Sequence, residues 1–286
     1  MSQIAVLTDS VACVPDELLE RYPIYVIPLH VSFGTESYLD GVDMTTDEFY
    51  RRLQENKSLP TTSAPSVGEF KAFYQRLAEE SADSIVCIPY SGELGMGYGA
   101  ALTAAKELPE LNIHVINSHT ALMAQGFLAV EAARAAEAGA TVQEVLERVQ
   151  AMIPHVDVCF MVNTLEYLRR GGRISHLQAF VGSMLDFKPL LHIPPNKGTM
   201  QPLGRSRTRS RAIKELVNHV EEMVGNCPVH ITVHQGDAKP EEMEWLLHTL
   251  EERFDLRELY HSSVSPVAGT HLGPGVLAVA FWAENP

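Results

Sequence analysis

Short apolar runs alternate with longer amphipathic stretches along the first half of the chain. Residues 4–7, 24–29, 84–88 and 113–116 are apolar runs of strand length bounded by polar or turn-forming residues. Between and after them, residues 15–21, 45–52, 66–77, 100–106, 122–138 and 141–152 carry helix signals. Pro15 precedes an acidic first turn, and Ser66-Val-Gly-Glu69 has the S-x-x-E pattern of a capping box. Strand and helix in this order predict a parallel α/β sheet. Residues 34–43 read as a polar, turn-rich connection.

The texture changes after Pro154. Residues 158–162 read as a strand, and residues 188–193 and 200–203 as two strands joined by a hairpin-like turn at 196–198. A helix to about residue 224, a strand at 229–233, a helix at 240–254 and a strand at 256–260 follow. The chain closes on an apolar run, 276–282, that reads as a buried strand.

Composition narrows the function classes. With 22 Lys plus Arg against 36 Asp plus Glu, the net charge is −14, so the chain has no basic excess to displace counterions from a nucleic acid. Cys13, Cys87, Cys159 and Cys227 lie far apart, form no C-x-x-C pair and show no metal-ligand spacing; Cys87 and Cys159 sit in apolar runs as core thiols do. The N-terminal segment has no basic, apolar leader pattern, and no run of 18 apolar residues occurs, so a cytoplasmic protein without a membrane span is expected.

Four stretches carry candidate chemistry. Residues 59–66, Leu-Pro-Thr-Thr-Ser-Ala-Pro-Ser, place hydroxyls in a proline-stiffened loop, with Ser66 capping a helix and Thr62 and Ser63 available to a ligand. Residues 90–98 are glycine-rich but lack the spacing of a nucleotide fingerprint. Arg205, Arg207, Arg209 and Arg211 alternate ahead of a helix whose dipole they oppose, which points to an acidic partner or phosphate. Residues 265–275 place His271 on a glycine-rich turn at the edge of a core, equally readable as a site group or as a surface histidine beside a β-turn.

Taken together and in order, several motifs resemble the DegV family, the bacterial fatty-acid-binding proteins, over essentially the whole length. They are Thr8-Asp9-Ser10, Val31-Ser-Phe-Gly34 with Tyr38-Leu-Asp-Gly41, Thr62-Ser-Ala-Pro-Ser66, the run Thr164 to Ser175 around Arg169-Arg-Gly-Gly-Arg173, Lys188-Pro189 and Gly269-Thr-His-Leu-Gly-Pro-Gly275. The resemblance implies two α/β domains: a three-layer, parallel-sheet domain over 1–155, and a mixed-sheet domain over 156–286 whose final strand packs near the first. It implies a fatty acid such as palmitate, stearate or oleate, with its carboxylate held by Thr62, Ser63 and His271 and its tail in an apolar tunnel. Ser91, Gly95 and Gly273 are further head-group candidates, and Arg173 and Arg207 are candidates for docking a fatty acid kinase that makes the acyl phosphate. The chain itself is then a carrier and not an enzyme, with no cofactor or metal and at most transient contact with a membrane surface. Two departures stand out: Gly95 replaces the family's serine in Leu-Ser-Gly-Thr-Tyr, and Ala64 replaces a glutamine.

An apolar tail contributes about 0.8 kcal/mol per buried methylene, so affinity is expected to come from the tail and orientation from the head group. Met123, Met161 and Met184 would suit an adaptable tunnel wall. Two other readings compete. A hydrolase would use Ser63, His271 and Asp9, although no G-x-S-x-G elbow is present. A phosphate-binding enzyme would use residues 90–98 and the arginine cluster.

Overall fold

The computed structural model describes residues 3–55, 59–80, 82–175, 177 and 187–284. The first half runs β1 (Ile4–Asp9), α1 (Asp16–Arg21), β2 (Ile24–Ile27), β3 (His30–Phe33), β4 (Glu36–Leu39), α2 (Thr46–Glu55) and β5 (Thr61–Ser63). It continues through α3 (Val67–Glu79), β6 (Ser84–Ile88), α4 (Gly97–Lys106), β7 (Ile113–Val115), α5 (Leu122–Glu137) and α6 (Val142–Met152). The second half runs β8 (Val156–Met161), α7 (Glu166–Arg170), β9 (Lys188–Ile193), β10 (Gln201–Ser206), α8 (Arg209–Val224) and β11 (Val229–Gly236). α9 (Pro240–Arg253), β12 (Leu256–Ser263), α10 (Pro266–Leu272) and β13 (Val276–Ala283) complete it.

The four apolar runs of the first half pair in parallel, in the order β2-β1-β6-β7. Phe70, Tyr74 and Leu77 of α3 and Ala101 and Ala104 of α4 pack on one face of this sheet, around Leu7 and Cys87. α5 covers the other face, which gives three layers. Capping boxes start α3 at Ser66 and α6 at Thr141: each hydroxyl accepts from the backbone N–H three residues on, and Glu69 and Glu144 reach back.

The second sheet is mixed, in the order β10-β9-β8-β13-β11-β12, with only β11 and β12 parallel. The last strand thus lies at its centre, antiparallel to both β8 and β11. α5 bridges the two sheets, contacting β1 on one side and β8 and β13 on the other. Its sequence is small and apolar nearly all round, as a helix buried on most sides requires. Two polar side chains on it find partners: Gln125 donates to Thr8 Oγ1 at 2.9 Å, though its own oxygen is left without a partner, and Glu131 takes Arg134 and Arg148, each at 2.8 Å. No helix among the described residues is long and apolar enough to cross a membrane.

Two elements differ from expectation. The turn-rich region is largely a hairpin, β3–β4, and the hydroxyl loop contains β5, which pairs antiparallel with β3. Neither β4 nor β5 has an apolar run, and β5 consists of three hydroxyl residues, so their pairing comes from neighbours distant in sequence.

Candidate functional site

β5 is the edge of a three-stranded sheet, with Val31 opposite Thr62 and His30 opposite Ser63. Strand alternation sends Thr62 to the opposite side from its neighbours, toward α10. His271 stands in the last turn of α10. The expected glycine-rich turn is therefore a helix in its first part. Ser265 caps it, with its hydroxyl accepting from Ala268 N–H at 3.4 Å; Pro266 opens it, and Gly273 at φ +77 ends it. Gly269 lies inside the helix, facing Phe49 and Tyr50 of α2.

Thr62 Oγ1 and His271 Nε2 lie 2.9 Å apart. His271 Nδ1 is buried without a hydrogen-bond partner and faces Gly171, where a Cβ would lie 2.2 Å from it. Burial, with the nearby Arg173 charge adding to it, pushes the imidazole down to about 3, so it is neutral near pH 7. A proton on Nδ1 would be an orphaned buried donor, which assigns the proton to Nε2, donating to Thr62 Oγ1. The Thr62 hydroxyl proton is then free to point at a ligand.

This pair sits in the wall of a cavity of about 510 Å³ between the two sheets, within the range of roughly 300–1,000 Å³ usual for ligand pockets. The polar lining comes from Thr62, Ser63 and Ser66 of the β5–α3 connection, Tyr90 after β6, Arg173 and His271. Val11 and Leu29 from the first half and Phe160, Ile193 and Met200 from the second supply apolar walls.

Not every expected residue takes part. Ser91 is fully buried and does not line the cavity; its hydroxyl donates within reach of Glu93 Oε2 at 2.6 Å and Gly198 O at 2.8 Å. Gly95 lines a smaller adjoining crevice, and Gly273 packs against the Tyr167 ring. Arg173, expected on an outer docking surface, instead lines the cavity, and its Nε donates to Leu94 O at 3.1 Å. Arg207 is exposed, with its guanidinium 5.8 Å from the Phe187 ring. The four arginines do not form one patch: Arg205 and Arg207 both lie over the Phe187 ring, whereas Arg209 is held by both oxygens of Glu242, by Asn163 Oδ1 at 2.7 Å and by Gly275 O at 2.9 Å, so it braces the 273–275 turn. Met123 and Met161 lie in the packed core away from the cavity, Met161 because alternation turns it to the opposite face from Phe160; Met184 lies outside the described residues.

Tyr90 is the residue the sequence reading passed over. A Cβ on Gly95 would lie 2.3 Å from the Tyr90 hydroxyl, so the phenol occupies the room a side chain at 95 would need. That hydroxyl accepts from Gly97 N–H at 3.3 Å, which leaves its own proton for a ligand. Asp9, at the end of β1, fixes the backbone here: it accepts from Tyr90 N–H at 2.8 Å and from Val11 N–H at 3.0 Å. Asp9 makes no contact with His271 among the described residues, and His271 Nδ1 has no carboxylate beside it, so Ser63, His271 and Asp9 do not form a triad.

Residues 3–284 match the sequence model of a family described as uncharacterised protein, DegV family. The chain belongs to the DegV family. A DegV domain-containing protein of Streptomyces coelicolor is 39% identical over 277 residues, covering 96% of this chain and 97% of that one. The crystal structure of DegV, a fatty acid binding protein from Bacillus subtilis, is similar at a TM-score of 0.90 and 31% identity, covering 99% of this chain and 100% of that one. A fatty-acid-binding DegV family protein from Thermus thermophilus is similar at a TM-score of 0.91 and 28% identity, with the same coverage of 99% and 100%. This DegV chain therefore shares its fold, along nearly its whole length, with proteins that bind fatty acids.

Proposed function

We propose that this protein binds a long-chain fatty acid, such as palmitate, stearate or oleate, and presents it to a fatty acid kinase for acyl-phosphate formation. The observation that carries the reading is one apolar cavity with the Thr62–His271 pair and Arg173 in its wall. A carboxylate entering an apolar cavity must find donors and a counter-charge, because burying it unpaired is very costly. Thr62 O–H, relayed from the neutral His271, and Tyr90 O–H supply donors, Ser63 lies beside them, and Arg173 supplies the charge. The N-terminal end of α3, at Ser66 and Val67, lines the same cavity and also favours an anion. Phe160, Ile193 and Met200 take the tail.

In this reading the protein is a cytoplasmic carrier, not an enzyme. The acyl chain is gripped by dispersion and burial, which discriminate weakly between tails, and the head group sets the orientation in which a kinase meets the carboxylate. Arg207, exposed after β10, remains the docking candidate. The test is native mass spectrometry of the purified protein, followed by organic extraction. A co-purifying fatty acid, displaced by added palmitate, is expected. Protein that carries none and binds none of palmitate, stearate or oleate would end the reading.

A further inference from the structure

On the face of the mixed sheet turned away from the cavity, three potential metal ligands converge from three elements. Asp157 comes from β8, His192 from β9 and His219 from α8. Asp157 Oδ2 lies 3.1 Å from His219 Nε2 and 3.4 Å from His192 Nδ1, and all three ligand atoms lie within 4.8 Å of one another. A tetrahedral ion with bonds of about 2.0–2.1 Å has ligand–ligand edges of roughly 3.3 Å, so both separations match such edges. The two imidazole rings meet edge to face at 83°, so they approach from different directions instead of stacking.

A second observation separates this cluster from an ordinary buried ion pair. Asp157 is 1% exposed, and its other oxygen, Oδ1, has no hydrogen-bond partner. A carboxylate this deep with one oxygen unmet is unusual. A groove of about 320 Å³ runs to His219 and is lined by Glu215, Asn218, Glu222 and Arg205. Glu215 and Glu222 stand four residues before and three after His219, on the same face of α8. Neither carboxylate lies among the ligand atoms that converge within 4.8 Å, and Glu215 instead meets Arg211 at 3.6 Å.

We propose that Asp157, His192 and His219 form a binding site for a divalent transition-metal ion of the zinc class, which staples α8 to strands β8 and β9. Two imidazoles and one carboxylate are a donor set that Zn²⁺ accepts, with the fourth position left to water. The site does not depend on the fatty-acid reading. Alternation along β8 and β9 gives Phe160 and Ile193 to the cavity, and Asp157 and His192 to the α8 face.

The test uses the full-length protein, stripped with a chelator and dialysed. Co²⁺ is expected to give the visible d–d spectrum of a four-coordinate ion, saturating at one ion per chain. Zn²⁺ is expected to displace it and to raise the melting temperature. His192→Gln and His219→Gln should each weaken Zn²⁺ binding at least about tenfold, since each removes one of three protein ligands. Circular dichroism of the metal-free variants checks that they fold. A wild-type chain that shows neither the Co²⁺ spectrum nor a Zn²⁺-dependent melting shift overturns the proposal, and the cluster is then a metal-free ion pair. Binding that survives in the His192→Gln/His219→Gln double variant overturns it equally, because the ion then sits elsewhere.

Discussion

Because burial holds His271 neutral, the positive charge available to a carboxylate in this cavity is that of Arg173. The histidine acts instead by setting the direction of the Thr62 hydroxyl. At pH 7 its ring nitrogens should show the NMR pattern of a neutral imidazole protonated at Nε2; a protonated imidazolium in the ligand-free protein would contradict the assignment. Thr62→Val should weaken fatty-acid binding about tenfold to a hundredfold, the loss typical of a hydrogen bond to a charged group, as read by displacement of a fluorescent fatty acid. Ser91→Ala should cost about 1 kcal/mol of stability and leave the affinity unchanged, since that hydroxyl is committed to Glu93 and Gly198. Tyr90 and Gly95 form a pair in which the ring of one needs the bare Cα of the other. Gly95→Ser alone should displace the Tyr90 ring and weaken binding, and adding Tyr90→Ser should restore part of it. If the double variant binds no better than Gly95→Ser, the two positions do not share the task.

At the scale of elements, legibility followed local chemistry. α3 is legible because Ser66 is followed three residues on by Glu69, and α6 carries the same box at Thr141 and Glu144. Thr141→Ala, far from the cavity, should lower stability by about 1 kcal/mol in a denaturant titration without changing fatty-acid affinity. α10 was misread because three glycines and a proline within 269–275 suggested turns, whereas Ser265-Pro266 is a helix start and Gly273 its stop. Gly269 is there for close approach to Tyr50 and Phe49, a reason that exists only once α2 is in place. β5 gave no signal at all: Thr61-Thr62-Ser63 is a strand because β3 lies beside it.

For the molecule as a whole, the cavity lies between two sheets, so its depth should be read by a chain-length series. Affinity should rise about fourfold per methylene, the equivalent of about 0.8 kcal/mol, until the tail reaches the cavity end and then level off. The interior also carries Asp9, which burial pushes up to about 7 from 3.8. Folded, this carboxyl keeps its proton over a range in which the unfolded chain has lost it. Its contribution to stability is therefore full below 3.8 and disappears as pH rises to about 7. Asp9→Asn cannot titrate, so its melting temperature relative to wild type should climb across that window; a constant difference would mean that Asp9 ionises normally.

The order of apolar runs and helix signals by itself determined the strand–helix alternation, the parallel sheet of the first half and the residue types that can meet a carboxylate, because periodicity and capping are local properties. Only the tertiary structure decided which of those residues meet. Thr62 and His271 are 209 residues apart and touch because β5 pairs with β3 while the chain between α10 and β13 returns to the centre of the second sheet. Register and face are equally non-local. Shifting a strand by one residue would exchange Phe160 for Met161 in the cavity wall, and no local pattern distinguishes the two when both faces of β8 are buried.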